Sequence, residues 1–108
     1  MPRTMKRGDT YPPLVLVLSD ENGPVDLTAA NSVTVIVKTA ASPAMEFVGT
    51  VTAPLVGEVT YTWAAADTDT TGDYSVEAEV DWGVDGIQTF PNAGVETLTI
   101  GDDLNPPA

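Results

Sequence analysis

The sequence predicts an all-β fold, an antiparallel sandwich of about seven strands, from three features. Apolar and polar residues alternate with period two along most of the chain, β-branched residues are dense in the alternating runs, and turn signals separate those runs.

The aliphatic run Leu14-Val15-Leu16-Val17-Leu18 predicts a strand over 14–19, closed by the turn residues Asp20-Glu21-Asn22-Gly23-Pro24. A short strand is expected at 25–28. Val33, Val35 and Val37 alternate with Ser32, Thr34 and Ile36 and predict a strand over 32–38, ended by Ala40-Ala41-Ser42-Pro43. Met45, Phe47 and Val51 share one face, with Gly49 between them, which places the next strand at 45–52. After the turn at Val56-Gly57, Val59, Tyr61 and Trp63 alternate with Glu58, Thr60 and Thr62 over 58–63. Alanines and then Asp and Thr residues follow Trp63, and this stretch reads as a single helical turn crossing between sheets, closed by Gly72. The clearest strand is 73–82, where Tyr74, Val76, Ala78 and Val80 form an apolar face and Ser75, Glu77, Glu79 and Asp81 a polar, acidic one. Gly83-Val84-Asp85-Gly86 is a hairpin loop, and a last strand runs over 87–100 with a break near 91–94. The chain therefore divides into a basic N-terminal arm (1–10), the sandwich (11–101) and an extended tail (102–108), where two consecutive prolines favour polyproline II.

The length, 108 residues, suits one domain, and a hydrophobic fraction of 43% supplies a core. No cysteine and no histidine occur, which excludes disulfides, thiol chemistry and histidine-based acid–base catalysis. The longest aliphatic run is five residues, against the ~20 of a spanning helix, so no membrane insertion is expected. A signal peptide is not expected either, because Gly8 to Pro13 separate the basic start from that run. Synthesis in a cytoplasm without signal-directed secretion follows. The net charge is −12, and it is unevenly spread: Arg3, Lys6 and Arg7 precede every acid, and Lys38 is the one base beyond them. An acidic body argues against nucleic acid, whose affinity rests on neutralised phosphates. The acidity itself serves solubility, while the basic arm suits docking onto a neighbouring subunit.

Chemistry-bearing groups are sparse. Asp67 with Asp69, and Glu77 with Glu79, are carboxylate pairs on surfaces expected to be solvated, without the burial that raises an acid's pKa. Oxygen-rich loops at Asp20-Glu21-Asn22, Asp67/Asp69 and Asp81/Asp85 match no calcium motif and read as turn chemistry. No nucleophile elbow and no phosphate loop occur. The expectation is no enzyme, no catalytic residue, no metal and no cofactor. Candidate partner-binding residues are Arg3, Lys6 and Arg7 on the arm, and the aromatics Tyr11, Trp82 and Phe90. Trp82, at a hairpin end, reads equally as an interface anchor or as a lid on the open end of the sandwich.

Four stretches in order carry a resemblance. They are Arg7-Gly8-Asp9-Thr10-Tyr11-Pro12-Pro13-Leu14, Asp20-Glu21-Asn22-Gly23-Pro24-Val25-Asp26-Leu27-Thr28-Ala29-Ala30, the segment from Gly57-Glu58-Val59 through Trp63 and Asp67-Thr68 to Gly72-Asp73-Tyr74, and Gln88-Thr89-Phe90-Pro91-Asn92. Together they resemble the N-terminal domain of the phage upper baseplate protein, an immunoglobulin-like β-sandwich of tailed-phage virions. The resemblance spans residues 6–100, and Ala29 departs from the family's usual glycine. It implies an immunoglobulin-like fold and a virion-accessory role. In that family the domain opens a longer chain that carries receptor-binding proteins. This chain is read as a stand-alone copy, so the position on the particle does not carry over.

The expected role is a non-enzymatic structural protein of a tailed phage, docking by its arm and sandwich edge onto the tail or baseplate. A capsid decoration or head-fibre role on the major capsid protein is the alternative, and a carbohydrate-binding adhesion module the third. Other virion proteins are the expected partners, with many copies on a symmetric particle, where avidity makes weak contacts sufficient.

Overall fold

A computed structural model describes residues 3–39, 44–91 and 96–102 of the chain. Among the described residues there are ten strands: β1 (Arg3–Lys6), β2 (Leu14–Val17), β3 (Ser19–Asp20), β4 (Gly23–Pro24), β5 (Ser32–Lys38), β6 (Met45–Ala53), β7 (Glu58–Tyr61), β8 (Gly72–Asp81), β9 (Ile87–Phe90) and β10 (Glu96–Gly101). Among the described residues helical structure is limited to single 3-10 turns such as Ala65–Thr68. The chain is an all-β sandwich built on one curled sheet.

The curl arises in β6. Its first half pairs with β5 (Val35 opposite Phe47) and its second half with β7 (Thr50 opposite Thr60), so one strand belongs to both layers. The second layer is β6-β7-β2 and the first is β5-β8 with β9 and β10 end to end along the far edge of β8. These neighbours are those of strands B, E, D and C, F, G in an immunoglobulin-like sandwich. The turn Ala65–Thr68 carries the chain from β7 in one layer to β8 in the other. At the start of β8 the Tyr74 hydroxyl donates back to the Thr70 carbonyl at 2.6 Å, the tie known as a tyrosine corner in this class of fold.

Period-two burial follows the sequence pattern. Val33, Val35 and Val37 of β5 and Val76, Ala78 and Val80 of β8 face inward, opposite Leu14, Leu16 and Val59. Each such valine or leucine side chain contributes roughly 1.5–3 kcal/mol by leaving water. Gly49 interrupts the apolar face of β6 for want of space: a methyl group there would stand 2.7 Å from Val59 Cγ1 and 3.2 Å from Val35 Cγ2.

Several expectations are corrected. Residues 25–28 are not a strand. Asp26 accepts from both the amide and the hydroxyl of Thr28, at 2.9 and 2.6 Å, folding the segment into a local turn, and Leu27 N–H is taken by the Pro54 carbonyl at 2.9 Å. The strand expected at 58–63 ends at Tyr61. The strand expected over 87–100 with a break near 91–94 is two strands, β9 and β10, which occupy successive stretches of one edge of β8. The N-terminal arm contains a strand: β1 pairs in parallel with β10, Met5 opposite Ile100. The turn at 40–43, most of the break at 91–94 and residues 103–108 of the tail lie outside the described residues.

Candidate functional site

The three arm cations are tied to their own domain. Arg3 Nη1 lies 3.3 Å from Glu96 Oε2, and Nη2 donates to the Val15 carbonyl at 2.9 Å, bridging the edges of β1 and β2. Arg7 N–H donates to the Gly101 carbonyl at 2.8 Å, and its guanidinium stands 3.9 Å from Asp102 Oδ1. Lys6 Nζ donates to the Asp102 carbonyl at 3.4 Å. The arm thus contains an edge strand, with Arg3 and Met5 half-buried and Thr4 and Lys6 exposed, rather than being a free tether.

Beyond β1 the chain turns at Gly8, whose φ of +85° is open to glycine without strain. The crossover turn locks it there. Gly8 N–H donates to the Thr68 carbonyl at 3.1 Å, and the Thr68 hydroxyl donates to the Asp9 carbonyl at 2.9 Å. Thr68 is wholly buried, the one polar residue so placed among the described residues. The same turn is tied to β7 by Asp67, which accepts from the Tyr61 hydroxyl at 2.6 Å and from Ala64 N–H at 2.8 Å. Burial first, and then the Asp67 carboxylate, push the Tyr61 phenol up to about 12. Tyr61 also stacks on Phe47, ring centroids 4.3 Å apart, and meets Trp63 edge-on at 5.5 Å. Burial raises the Tyr74 phenol as well.

The aromatic candidates separate. Tyr11 is 81% exposed beside the arm. Trp82 is half-buried, its indole N–H donating to Gln88 Oε1 at 3.1 Å across the β8–β9 hairpin. The exposed apolar tip of that hairpin is Val84, with Ile87 behind it. Phe90, expected on a partner surface, is 1% exposed. It stands opposite Ala78, an inward position of β8, so the register turns its ring into the core.

The oxygen-rich loops are engaged in turns. Asp20 accepts from Asn22 N–H and Asp81 from Gly83 N–H, each at 2.8 Å. Among the described residues no group of three or more acids is gathered where it could hold a metal ion. Asp26 is held below the usual carboxylate range by the Thr28 hydroxyl and then its amide.

Sequence reasoning passed over one surface. The outer face of β6-β7-β2 presents Val48, Thr50 and Thr52, then Thr62 and Thr60, then Val15 and Val17. Thr50, Thr52, Thr60 and Thr62 alternate with apolar residues in the sequence, whereas Val15 and Val17 lie in an unbroken aliphatic run that does not tell the outward face from the inward. The opposite face, on β8, carries Asp73, Glu77, Glu79 and Asp81. The arrangement offers surfaces for contact. No protein-family model matches the chain, and no curated protein matches it in sequence.

Proposed function

We propose that this chain is a non-enzymatic structural domain of a tailed-phage virion, attached at the tail or baseplate through its sheet edges and the cations of β1. The observation that carries the reading is where the residues of the resemblance meet. Gly8 and Asp9 from the first stretch are clasped by Thr68 from the third, Asp67 beside it is bound by Tyr61, and Tyr74 closes the same corner onto Thr70. The spacing that suggested the phage baseplate domain is the spacing this corner needs. The step from the resemblance to a virion role is analogy at the level of fold.

Immunogold electron microscopy of intact particles, with antibody raised against this chain, tests the reading. Gold at the tail tip is the expected result. Gold over the head replaces the baseplate role with capsid decoration, and unlabelled, well-preserved particles overturn both. The adhesion reading rests on Tyr11 and Trp82 alone, since Phe90 is in the core. Unchanged Trp82 fluorescence on adding host-surface glycans removes it.

A further inference from the structure

The strand path ends on one side at β2, which pairs with β7 alone. Leu14, Leu16 and Leu18 turn their backbone groups toward β7 and the turn before it, as the bond from Leu18 N–H to the Gly57 carbonyl at 2.8 Å marks. By alternation Val15 and Val17 turn theirs to the open edge. Among the described residues nothing takes the Val17 N–H or carbonyl on that side. The side chains add to the hazard. Leu14 to Leu18 are five aliphatic residues in a row without a charge, and Val15 and Val17 are exposed. An uncharged aliphatic segment at a free sheet edge is the pattern that recruits a further strand.

One side chain stands in the way. Arg3 Nη2 donates to the Val15 carbonyl at 2.9 Å, so an acceptor that an added strand would need is already taken. The guanidinium is fixed from its other side, with Nη1 3.3 Å from Glu96 Oε2, and its backbone is held in β1 opposite Leu98 of β10. Arg3 and Glu96 line the hollow beside residues 15–19, so an incoming strand meets a charged pair rather than a bare apolar edge. To pair with β2 it must first draw a half-buried cation away from both of its acceptors.

We propose that Arg3 guards the β2 edge against strand addition, beyond tying β1 to the domain. The net charge of −12 gives a second protection by repulsion between copies, and salt removes that one while leaving the hydrogen bond in place. The guard is a property of the folded chain and does not depend on the virion reading.

Sedimentation velocity and thioflavin T fluorescence at pH 7 and about 1 M salt, where the screening length is about 3 Å, are the test. The chains compared are wild type, Arg3→Met, Lys38→Met and the double variant Arg3→Met/Val17→Pro. Methionine keeps an apolar stem and removes the donors and the charge. Lys38→Met makes the same change of charge at an exposed position of β5. Proline at 17 removes the outward N–H that an added strand would bond. Arg3→Met is expected to raise the associated fraction about tenfold or more over wild type, with a rise in thioflavin T fluorescence. Lys38→Met should match wild type, and the double variant should return to it. Circular dichroism checks each fold, and if Val17→Pro unfolds the chain, Val17→Lys takes its place by setting a charge on the same edge. An Arg3→Met chain no more associated than wild type overturns the proposal. So does association that Lys38→Met reproduces, or that persists when position 17 is changed.

Discussion

Replacing Thr68 by valine keeps the shape of a wholly buried side chain and removes one hydroxyl. That hydroxyl donates to the Asp9 carbonyl at 2.9 Å and more distantly to Ala65 at 3.4 Å. The Asp9 carbonyl would then face a methyl group. Leaving a buried acceptor unpaired costs about 1–3 kcal/mol, and the half-buried position of Asp9 lets water recover part of it. A net loss of about 1–2 kcal/mol lowers the melting temperature of a domain this size by roughly 4–15 °C. Thermal unfolding by circular dichroism reads that fall. Hydrogen exchange reads its location: the amides of Arg7 and Gly8, which donate to Gly101 and Thr68, should exchange faster, while those of β5 and β8 keep the order they have in wild type. Thr68→Ser, which keeps the hydroxyl, should restore protection at Gly8. A valine variant that melts within about 2 °C of wild type and protects residues 3–8 equally would refute the clasp as a determinant of the N-terminal strand.

Three further outcomes are expected. Gly57 has φ +71°, and an added Cβ would lie 2.5 Å from the Leu18 carbonyl oxygen, so Gly57→Ala should lose about 2 kcal/mol or more in urea unfolding. Tyr74→Phe removes the bond to the Thr70 carbonyl and should cost about 1 kcal/mol with the fold retained, as unfolding with an unchanged m-value would report. The raised phenol of Tyr61 makes stability fall with alkaline pH. The unfolded chain releases this proton near pH 10, whereas the folded one holds it to about 12, so between those values the folded state binds more protons and stability declines. Tyr61→Phe should reduce that decline, and Tyr74, raised in the same direction, accounts for part of what remains.

How much was legible depends on the length of each signal. Runs such as 32–38 and 73–82 repeat the alternation often enough to fix both strand and face. β1 has the same alternation, with Met5 turned inward between exposed Thr4 and Lys6, but over four residues of which two are cations, so charge hid the strand. Val25 and Leu27 imitate alternation, yet the Asp26–Thr28 bonds decide the backbone there. Phe90 was readable in principle. Counting across the hairpin from Val80 opposite Gln88 sets it against Ala78 and hence in the core. The clasp at Thr68 was not readable, because it joins residues 59 apart in sequence through a backbone carbonyl, which leaves no side-chain pattern.

The folded state of the arm changes what its removal can test. Deleting residues 1–7 is the natural probe of a free basic tether, with lost incorporation as the outcome. In the folded chain that deletion strips β1 from β10, breaks the Arg3 bridge to Glu96 and Val15, and removes Met5 from beside Pro13, Leu14, Trp63 and Leu98. Lost incorporation would then report a damaged sheet as readily as a lost contact. Lys6→Glu separates the two. Lys6 is exposed, and its ammonium meets only a backbone carbonyl among its described hydrogen bonds, so charge reversal should leave the melting temperature within about 2 °C. If the cations of β1 steer the domain onto an acidic neighbour, that reversal lowers incorporation into particles while the fold is unchanged. Full incorporation of the Lys6→Glu chain would mean that docking proceeds through the uncharged edges and faces instead, and that the basic residues serve chiefly to hold β1 to its own domain.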